Sequence, residues 1–443
     1  MHRSLIQSLR EWKNSPARQP LLLRGARQTG KTYLVEQFGT TDFTHQLKIN
    51  FEKEKQFTEC FKTLDPKQII QELELTANET IQAGTTLLFL DEIQECPNAI
   101  KALRYFFEEM PELHVIGAGS LLEFALSAEN FSMPVGRVSF LYLYPMSFNE
   151  MLYALDKHKL LDYLNNLSIK DKIPQSVHQQ LLKHLRLYFV LGGMPRVINL
   201  YAEHEKLLLC RQTQSAILNS YRDDFGKYAS QVQQIYCERV FSKSFELIAQ
   251  HFKYTDIDPD MDYRSLKQAI WLLIKANILT PIYYSKASGI PLSATQVEKK
   301  YKLLFLDLGL AQAAGRITPE LLINQDIMQL NRGALTEQYV GQHLLTIQPN
   351  YDRAELFYWQ RDTRSSQAEI DYILPIDDKL IPIEVKSGST GRLKSLHLYM
   401  ASHQSNLGVK LSTDEFNVSD KIWSIPLYLI EQLPRLIRES FLT

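Results

Sequence analysis

Two sets of residues in this chain have the types and spacing to do chemistry. The first is Gly25-Ala26-Arg27-Gln28-Thr29-Gly30-Lys31-Thr32, two glycines bracketing four residues and followed by lysine and threonine. Glycines let successive backbone N–H groups curl around phosphate oxygens. A lysine at this spacing reaches the β- and γ-phosphates of a nucleoside triphosphate, and the threonine hydroxyl holds Mg²⁺. ATP and Mg²⁺ are therefore the expected ligands. Asp91-Glu92, at the end of an apolar run, supplies the acids this chemistry also needs: Asp91 beside the metal and Glu92 to polarise the attacking water. Ser120 ends another apolar run and is a candidate to face the γ-phosphate, or a helix cap, or both. Phosphoryl transfer also calls for a further cation on the γ-phosphate. Arg137 is the candidate, within the same chain or on a neighbouring subunit, against the plainer reading of a solvated loop arginine.

The second set lies near the C-terminus. Glu369-Ile370-Asp371-Tyr372 and Ile383-Glu384-Val385-Lys386 flank a short polar turn at Asp377-Asp378-Lys379. Side chains alternate along a strand, so Glu369 and Asp371 share one face, as do Glu384 and Lys386. If the two strands pair as a hairpin, three carboxylates and a lysine converge. Carboxylates of this kind bind Mg²⁺, and a lysine can orient or deprotonate a water. Glu337, on an expected helix upstream, offers one more acid. The alternatives are a solvated hairpin of alternating charge and a fold that binds without cutting.

The elements that must position these residues are legible in outline. Leu21-Leu22-Leu23 reads as the strand before the glycine loop, and residues 33–38 as the helix after it, with Gly39 as its stop. Leu87-Leu88-Phe89-Leu90 is apolar on both faces, as a buried parallel strand should be. Further strands are expected around 46–51 and 114–120, with helical stretches near 56–61, 69–75 and 99–109. This alternation predicts a parallel α/β sandwich with its ligand at the carboxyl ends of the strands. Residues 151–250 are mainly helical in period, interrupted at Gly192-Gly193-Met194-Pro195. Residues 263–274 form an amphipathic helix with Arg264 and Lys267 off its apolar face, followed by a strand at 278–284. Helix then strand suits either a winged helix on DNA or a packing module.

Composition sets the outer bounds. At 443 residues, two to four domains are expected. Hydrophobic residues at 45% and charged residues at 22% fit a globular chain. No run reaches the roughly 18 apolar residues of a membrane span, and no secretion signal is visible at the N-terminus. The four separated cysteines suggest reduced thiols and a cytoplasmic setting, and argue against a zinc site or a disulfide framework. A net charge of −1 excludes a uniformly basic nucleic-acid coat but leaves room for a local basic face.

The glycine loop, Asp91-Glu92-Ile93-Gln94, Gly119-Ser120-Leu121-Leu122, the Gly136-Arg137 step, residues 144–150 and Gly192-Gly193-Met194-Pro195 together resemble a known group. It comprises bacterial and archaeal AAA-type ATPases that end in a domain of unknown function similar to restriction-endonuclease folds. The resemblance implies an AAA-like ATPase core at 1–150, a helical lid at 151–235, a winged-helix-like segment at 236–310 and a nuclease-like domain at 311–443. The C-terminal acids resemble the PD-(D/E)xK nuclease site. That likeness makes Asp371 and Glu384 metal ligands, Glu337 an accessory ligand and Lys386 the catalytic lysine, although Ile370 stands where a proline often precedes the aspartate. The expected activity is an Mg²⁺-dependent ATPase acting on DNA, possible as a homo-oligomer and without a membrane partner. The alternatives are a nucleotide-switched interaction protein with an inactive nuclease-like end and, less suited to Glu92, a small-molecule kinase.

Overall fold

The computed structural model describes residues 2–126, 136–315, 333–361, 368–386, 393–418 and 420–442. The chain divides into two compact units. One is Met1–Tyr144 with the short pieces Lys275–Asn277 and Pro349–Arg353; the other comprises Pro145–Ile274, Ile278–Gln348 and Ala354–Thr443.

The first unit is built on five parallel strands: β1 (Leu21–Arg24), β2 (His45–Asn50), β3 (Thr86–Asp91), β4 (His114–Ala118) and β5 (Ser139–Tyr142), in the order β2-β3-β4-β1-β5. Alternation along β3 explains why its sequence is apolar throughout. Leu87 and Phe89 enter a core with the helices Ile6–Asn14 and Lys31–Asp42, whereas Leu88 and Leu90 enter a second core with the helices Pro66–Ala77 and Pro97–Glu109. The helix Pro66–Ala77 starts where Asp65 accepts the N–H groups of Lys67 and Gln68, with proline at its first position. The helix after the glycine loop does not stop at Gly39 but runs on to Asp42. A Cβ at Gly39 would meet the amide end of the Gln46 side chain at 2.3 Å, which would have to turn aside, so this glycine lies under a neighbouring side chain rather than at a helix end.

In the second unit, residues 148–244 are helical in the main, from Phe148–Ala154 to Gln231–Ser244. The helix Gln175–Leu191 ends at Gly192, which has φ 70°, and the Gly193 N–H donates to the buried Asp307 carboxylate. The helix Tyr263–Lys275 leads into β6 (Leu279–Ser285), which pairs antiparallel with β7 (Gln296–Phe305). β6 also pairs in parallel with β8 (Leu356–Gln360), and β8 pairs with β9 (Glu369–Ile370). The boundary expected at 310/311 therefore falls between strands of a single sheet, β7-β6-β8-β9. The second sheet of this unit is β10-β11-β12-β13, from Tyr372–Ile376, Lys379–Val385, Gly408–Ser412 and Ile422–Pro426. β10 and β11 form the expected hairpin, with Tyr372 opposite Ile383 and the turn at Asp377-Asp378. The helix Ala334–Thr346 is buried nearly all round, and the Gln338 amide bonds both the N–H and the carbonyl of Phe305 in β7.

Candidate functional site

In the first unit, the glycine loop leaves β1 at its carboxyl end. Gly25 has φ 146°, and a Cβ there would meet the Leu143 carbonyl oxygen at 2.2 Å; Gly30 has φ 93° as the residue that starts the helix. Between them, Ala26 and Thr29 are buried, Arg27 and Gln28 are part-exposed, and Thr29 closes the loop through its hydroxyl on the Ala26 carbonyl at 2.9 Å. Arg3 clamps the loop from outside, donating to the Thr29 carbonyl at 2.7 Å. Lys31 turns its ammonium onto the loop, 2.9 Å from the Gly25 carbonyl and 2.7 Å from that of Ala26. Burial pushes this amine down to about 8, against the pull of Glu92 and Asp91.

Parallel pairing brings the acids beside the loop. Thr32 Oγ1 lies 3.1 and 3.3 Å from the two oxygens of Asp91. Asn50, in register with Asp91 across β2 and β3, donates to the same carboxylate at 3.0 Å, and Lys48 Nζ lies 3.5 Å away. Neither Asn50 nor Lys48 stands out in the sequence; only the strand register makes them neighbours of Asp91. Glu92 has the left-handed backbone, φ 50°, that turns its side chain out of the strand line. Its carboxylate accepts from Gln94 at 2.7 Å, from the Ser120 N–H at 3.3 Å and from the Ser120 hydroxyl at 3.4 Å. Lys31, Thr32, Asp91, Glu92 and Ser120 thus form one group. A hydroxyl beside a carboxylate is the donor set a phosphate-bound Mg²⁺ takes, so these residues fit that ion.

Arg137 stands apart from this group, which corrects the reading that it serves the γ-phosphate of its own chain. It precedes β5, and β5 runs parallel to β1 with Ser139 opposite Leu21, so Arg137 sits at the amino edge of the sheet. The loop leaves the opposite edge, a strand length of about 13 Å away. The Arg137 guanidinium is instead 44% exposed and pairs with Glu108 at 3.0 Å.

In the second unit, the β10–β11 hairpin places Asp371 and Glu384 side by side, one residue beyond the Tyr372–Ile383 pair. Asp371 accepts the Val385 N–H at 2.7 Å, and Lys386 pairs with Glu384 Oε1 at 2.5 Å. Glu384 is 5% exposed, and its Oε2 is a buried acceptor with no hydrogen-bond partner. Glu337 joins from the buried helix, which is tied to the hairpin by the Tyr372 hydroxyl donating to the Glu337 carbonyl at 2.8 Å. Two residues that sequence reading missed complete the group. Lys302 on β7 pairs with Glu369 and lies 3.5 Å from Glu337, and His251 Nε2 lies 2.5 Å from the other Glu369 oxygen. No motif marks Lys302; only the pairing of β6 with both β7 and β8 carries it here.

Crowding of acids shows in their protonation. Loss of water and then repulsion from Asp371 push Glu337 up to about 8 and Glu384 up to about 7. Burial works in the same direction on Glu369, but His251 and Lys302 outweigh it and hold that carboxyl below its ordinary value. Among the described residues, no three Asp, Glu, His or Cys side chains are gathered as a ready-made metal site. The unpartnered Glu384 oxygen and the mutual repulsion nonetheless fit a divalent cation, which would satisfy the one and relieve the other.

Comparison with known proteins places the first unit. Residues 17–152 match a family described as an AAA domain, residues 182–321 a domain of unknown function (DUF8612), and residues 332–430 another (DUF4143). No match was found among curated proteins. Similar solved structures include the Walker-type ATPase paby2304 of Pyrococcus abyssi, at 14% identity and TM-score 0.44, covering 70% of this chain and 94% of that one. The Aeropyrum pernix ORC2 protein is similar at 12% identity and TM-score 0.39, over 72% of this chain and 91% of that one. Among the described residues, no helix is long and apolar enough to cross a membrane.

Proposed function

We propose that this chain, whose residues 17–152 match an AAA-type ATPase domain, is an Mg²⁺-dependent ATPase that acts on DNA, with its C-terminal acids and lysine cutting or gripping the strand. The observation that carries the reading is the convergence of Lys31, Thr32, Asp91 and Glu92 at one edge of the parallel sheet. The loop N–H groups from Gly25 to Thr32 bind the phosphates, and Lys31 leaves the carbonyls of Gly25 and Ala26 for the β- and γ-oxygens. Thr32 and Asp91 would hold Mg²⁺, which would supply charge neutralisation at the phosphates. Glu92 orients the attacking water and accepts its proton, while Ser120 and Gln94 fix the carboxylate's direction. Support for the DNA half is the chemistry of Asp371, Glu384 and Lys386. Two acids for a metal and a lysine beside them are what phosphodiester hydrolysis uses, with Glu337 as accessory acid.

A second reading is favoured by one observation, the pairing of Lys302 with Glu337 and Glu369. On it, the C-terminal domain is inactive and ATP sets the assembly of a homo-oligomer, in which the exposed Arg137 reaches a neighbouring subunit's nucleotide. Full-length protein incubated with ATP, Mg²⁺ and plasmid or branched DNA separates the two. DNA-stimulated hydrolysis with cleavage or retention of DNA is expected. Hydrolysis indifferent to DNA, without cleavage or binding, and with ATP-dependent oligomer mass, would overturn the DNA reading in favour of the second.

A further inference from the structure

Lys302 is the most deeply buried cation of the C-terminal group, at 2% exposure, and it comes from a hairpin that the nuclease-like reading does not include. Its position follows from backbone pairing. Two strands, β6 and β8, separate β7 from β9 in the same sheet, and an isolated bridge joins Lys302 to His251. The ammonium packs 5.2 Å from the Tyr358 ring centroid and meets carboxylate oxygens of Glu369 and Glu337. The second Glu369 oxygen is held by His251. On the other side of the group, Asp371 keeps one oxygen on the Val385 N–H, and Glu384 keeps Oε2 unpartnered. Lys302 thus lies against one pair of acids, Glu369 and Glu337, while Asp371 and Glu384 keep acceptor capacity left over although Lys386 holds Glu384 Oε1.

We propose that Lys302 is a built-in counter-cation which reserves Glu337 and Glu369, so that the group takes up a single divalent ion through Asp371 and Glu384. The inference rests on the metal-binding reading of these acids and refines it, because it keeps Glu337 from touching the ion for as long as Lys302 is present. A buried ammonium and a divalent cation compete for the same negative charge, and at short range in a partly shielded site one unit charge changes affinity greatly. Lys302 is therefore a positioning residue: it sets how many acids the ion meets and how tightly it is held.

The test is a Mn²⁺ titration of the full chain, without nucleotide, by calorimetry and by the electron-spin signal of free Mn²⁺. Wild type should bind one ion in a manner lost on Asp371→Asn. Lys302→Met should tighten that uptake roughly ten- to hundredfold, by releasing Glu337 and Glu369. Lys302→Arg, which keeps the charge, should stay near wild type. Where Lys302→Met does not fold, Lys302→Met/Glu369→Gln removes the ion pair as a neutral unit and should still tighten uptake several-fold through the freed Glu337. Affinity unchanged in the variants lacking the charge, while Asp371→Asn abolishes uptake, would overturn the role given to Lys302. Wild-type uptake that Asp371→Asn leaves untouched would instead overturn the metal reading beneath it.

Discussion

The buried Lys31 amine gives the ATP site a pH dependence that can be worked out from its surroundings. In the nucleotide-free protein, burial lowers it to about 8, so near that pH half the molecules carry a neutral lysine against the Gly25 and Ala26 carbonyls. A triphosphate binds the ammonium form, because only that form presents a charge to the β- and γ-oxygens. The sign follows: binding takes up a proton, and affinity falls as pH rises through 8. Apparent affinity scales with the charged fraction, so the dissociation constant should rise about tenfold between pH 7 and pH 9. Near pH 8 about half a proton is taken up per ATP bound. The γ-phosphate's own ionisation, near pH 6, is complete across this window and adds no slope. Calorimetry in two buffers of different ionisation enthalpy reads the proton directly, since the observed heat then depends on the buffer. Lys31→Ala should bind more weakly and lose the dependence. A wild-type affinity flat from pH 7 to pH 9, with buffer-independent heat, would refute the argument: the loop lysine would then be fully charged before ATP arrives.

Three further outcomes are expected. Glu92→Gln keeps acceptor capacity for the Ser120 N–H, so the variant should bind ATP normally and hydrolyse it about 10²- to 10⁴-fold more slowly, measured by phosphate release; full hydrolysis would mean that another carboxylate handles the water. Lys386→Ala should leave ATP turnover intact and abolish any DNA cleavage on a gel, and cleavage that survives would make the lysine structural. His343 is buried, accepts the Phe148 N–H at Nε2 (3.0 Å) and bonds the Tyr339 carbonyl through Nδ1 (2.8 Å), and burial lowers it to about 4. Its native form holds fewer protons than the unfolded chain between about pH 6.5 and 4, so up to about 3 kcal/mol of stability is lost as pH falls through that window. Nitrogen NMR should find the ring neutral at pH 5, and titration near the ordinary histidine value would refute the assignment.

How far the sequence leads depends on whether the signal is local. The run Leu87–Leu90 is apolar on both faces because it lies between two cores, and a strand of that kind announces both itself and the acids at its end. The β10–β11 hairpin was legible for a related reason, its apolar alternation on either side of a polar turn. The run expected as one strand breaks at Asp371, however, so Glu369 belongs to β9 of the other sheet and does not share a strand face with Asp371. Arg137 shows the limit. Its Gly136-Arg137 step looks like part of an ATP site, yet which edge of the sheet it occupies depends on β5 running parallel to β1, a fact of topology. Asn50 is hidden for the same reason, since only register sets it opposite Asp91. Gly39 misled in a different way, because a glycine that ends a helix and a glycine that admits a neighbouring side chain look alike in sequence.

The C-terminal group carries this point into energetics. Four acids drawn from a helix, a two-residue strand and a hairpin repel one another, and isolated in a fold they would drive it apart or take up protons. Uptake of protons is favoured, and internal cations supply the rest of the relief. Glu337 and Glu384 are pushed toward the neutral form, while Lys302 and Lys386 each pair with an acid they cannot fully satisfy. A fold selected for stability alone would replace such a cluster with apolar side chains, since a buried ion pair rarely outperforms a packed hydrocarbon of equal volume. The cluster is tied to the fold by the Val385 N–H on Asp371 and by the Tyr372 hydroxyl on the helix of Glu337. Crowding of buried charge of this kind is expected where charge is stored for a ligand. The consequence is specific: Glu384→Gln should raise the stability of the metal-free chain above pH 7 while removing Mn²⁺ uptake. A variant that lost stability at that pH would mean the carboxylate is there for the fold.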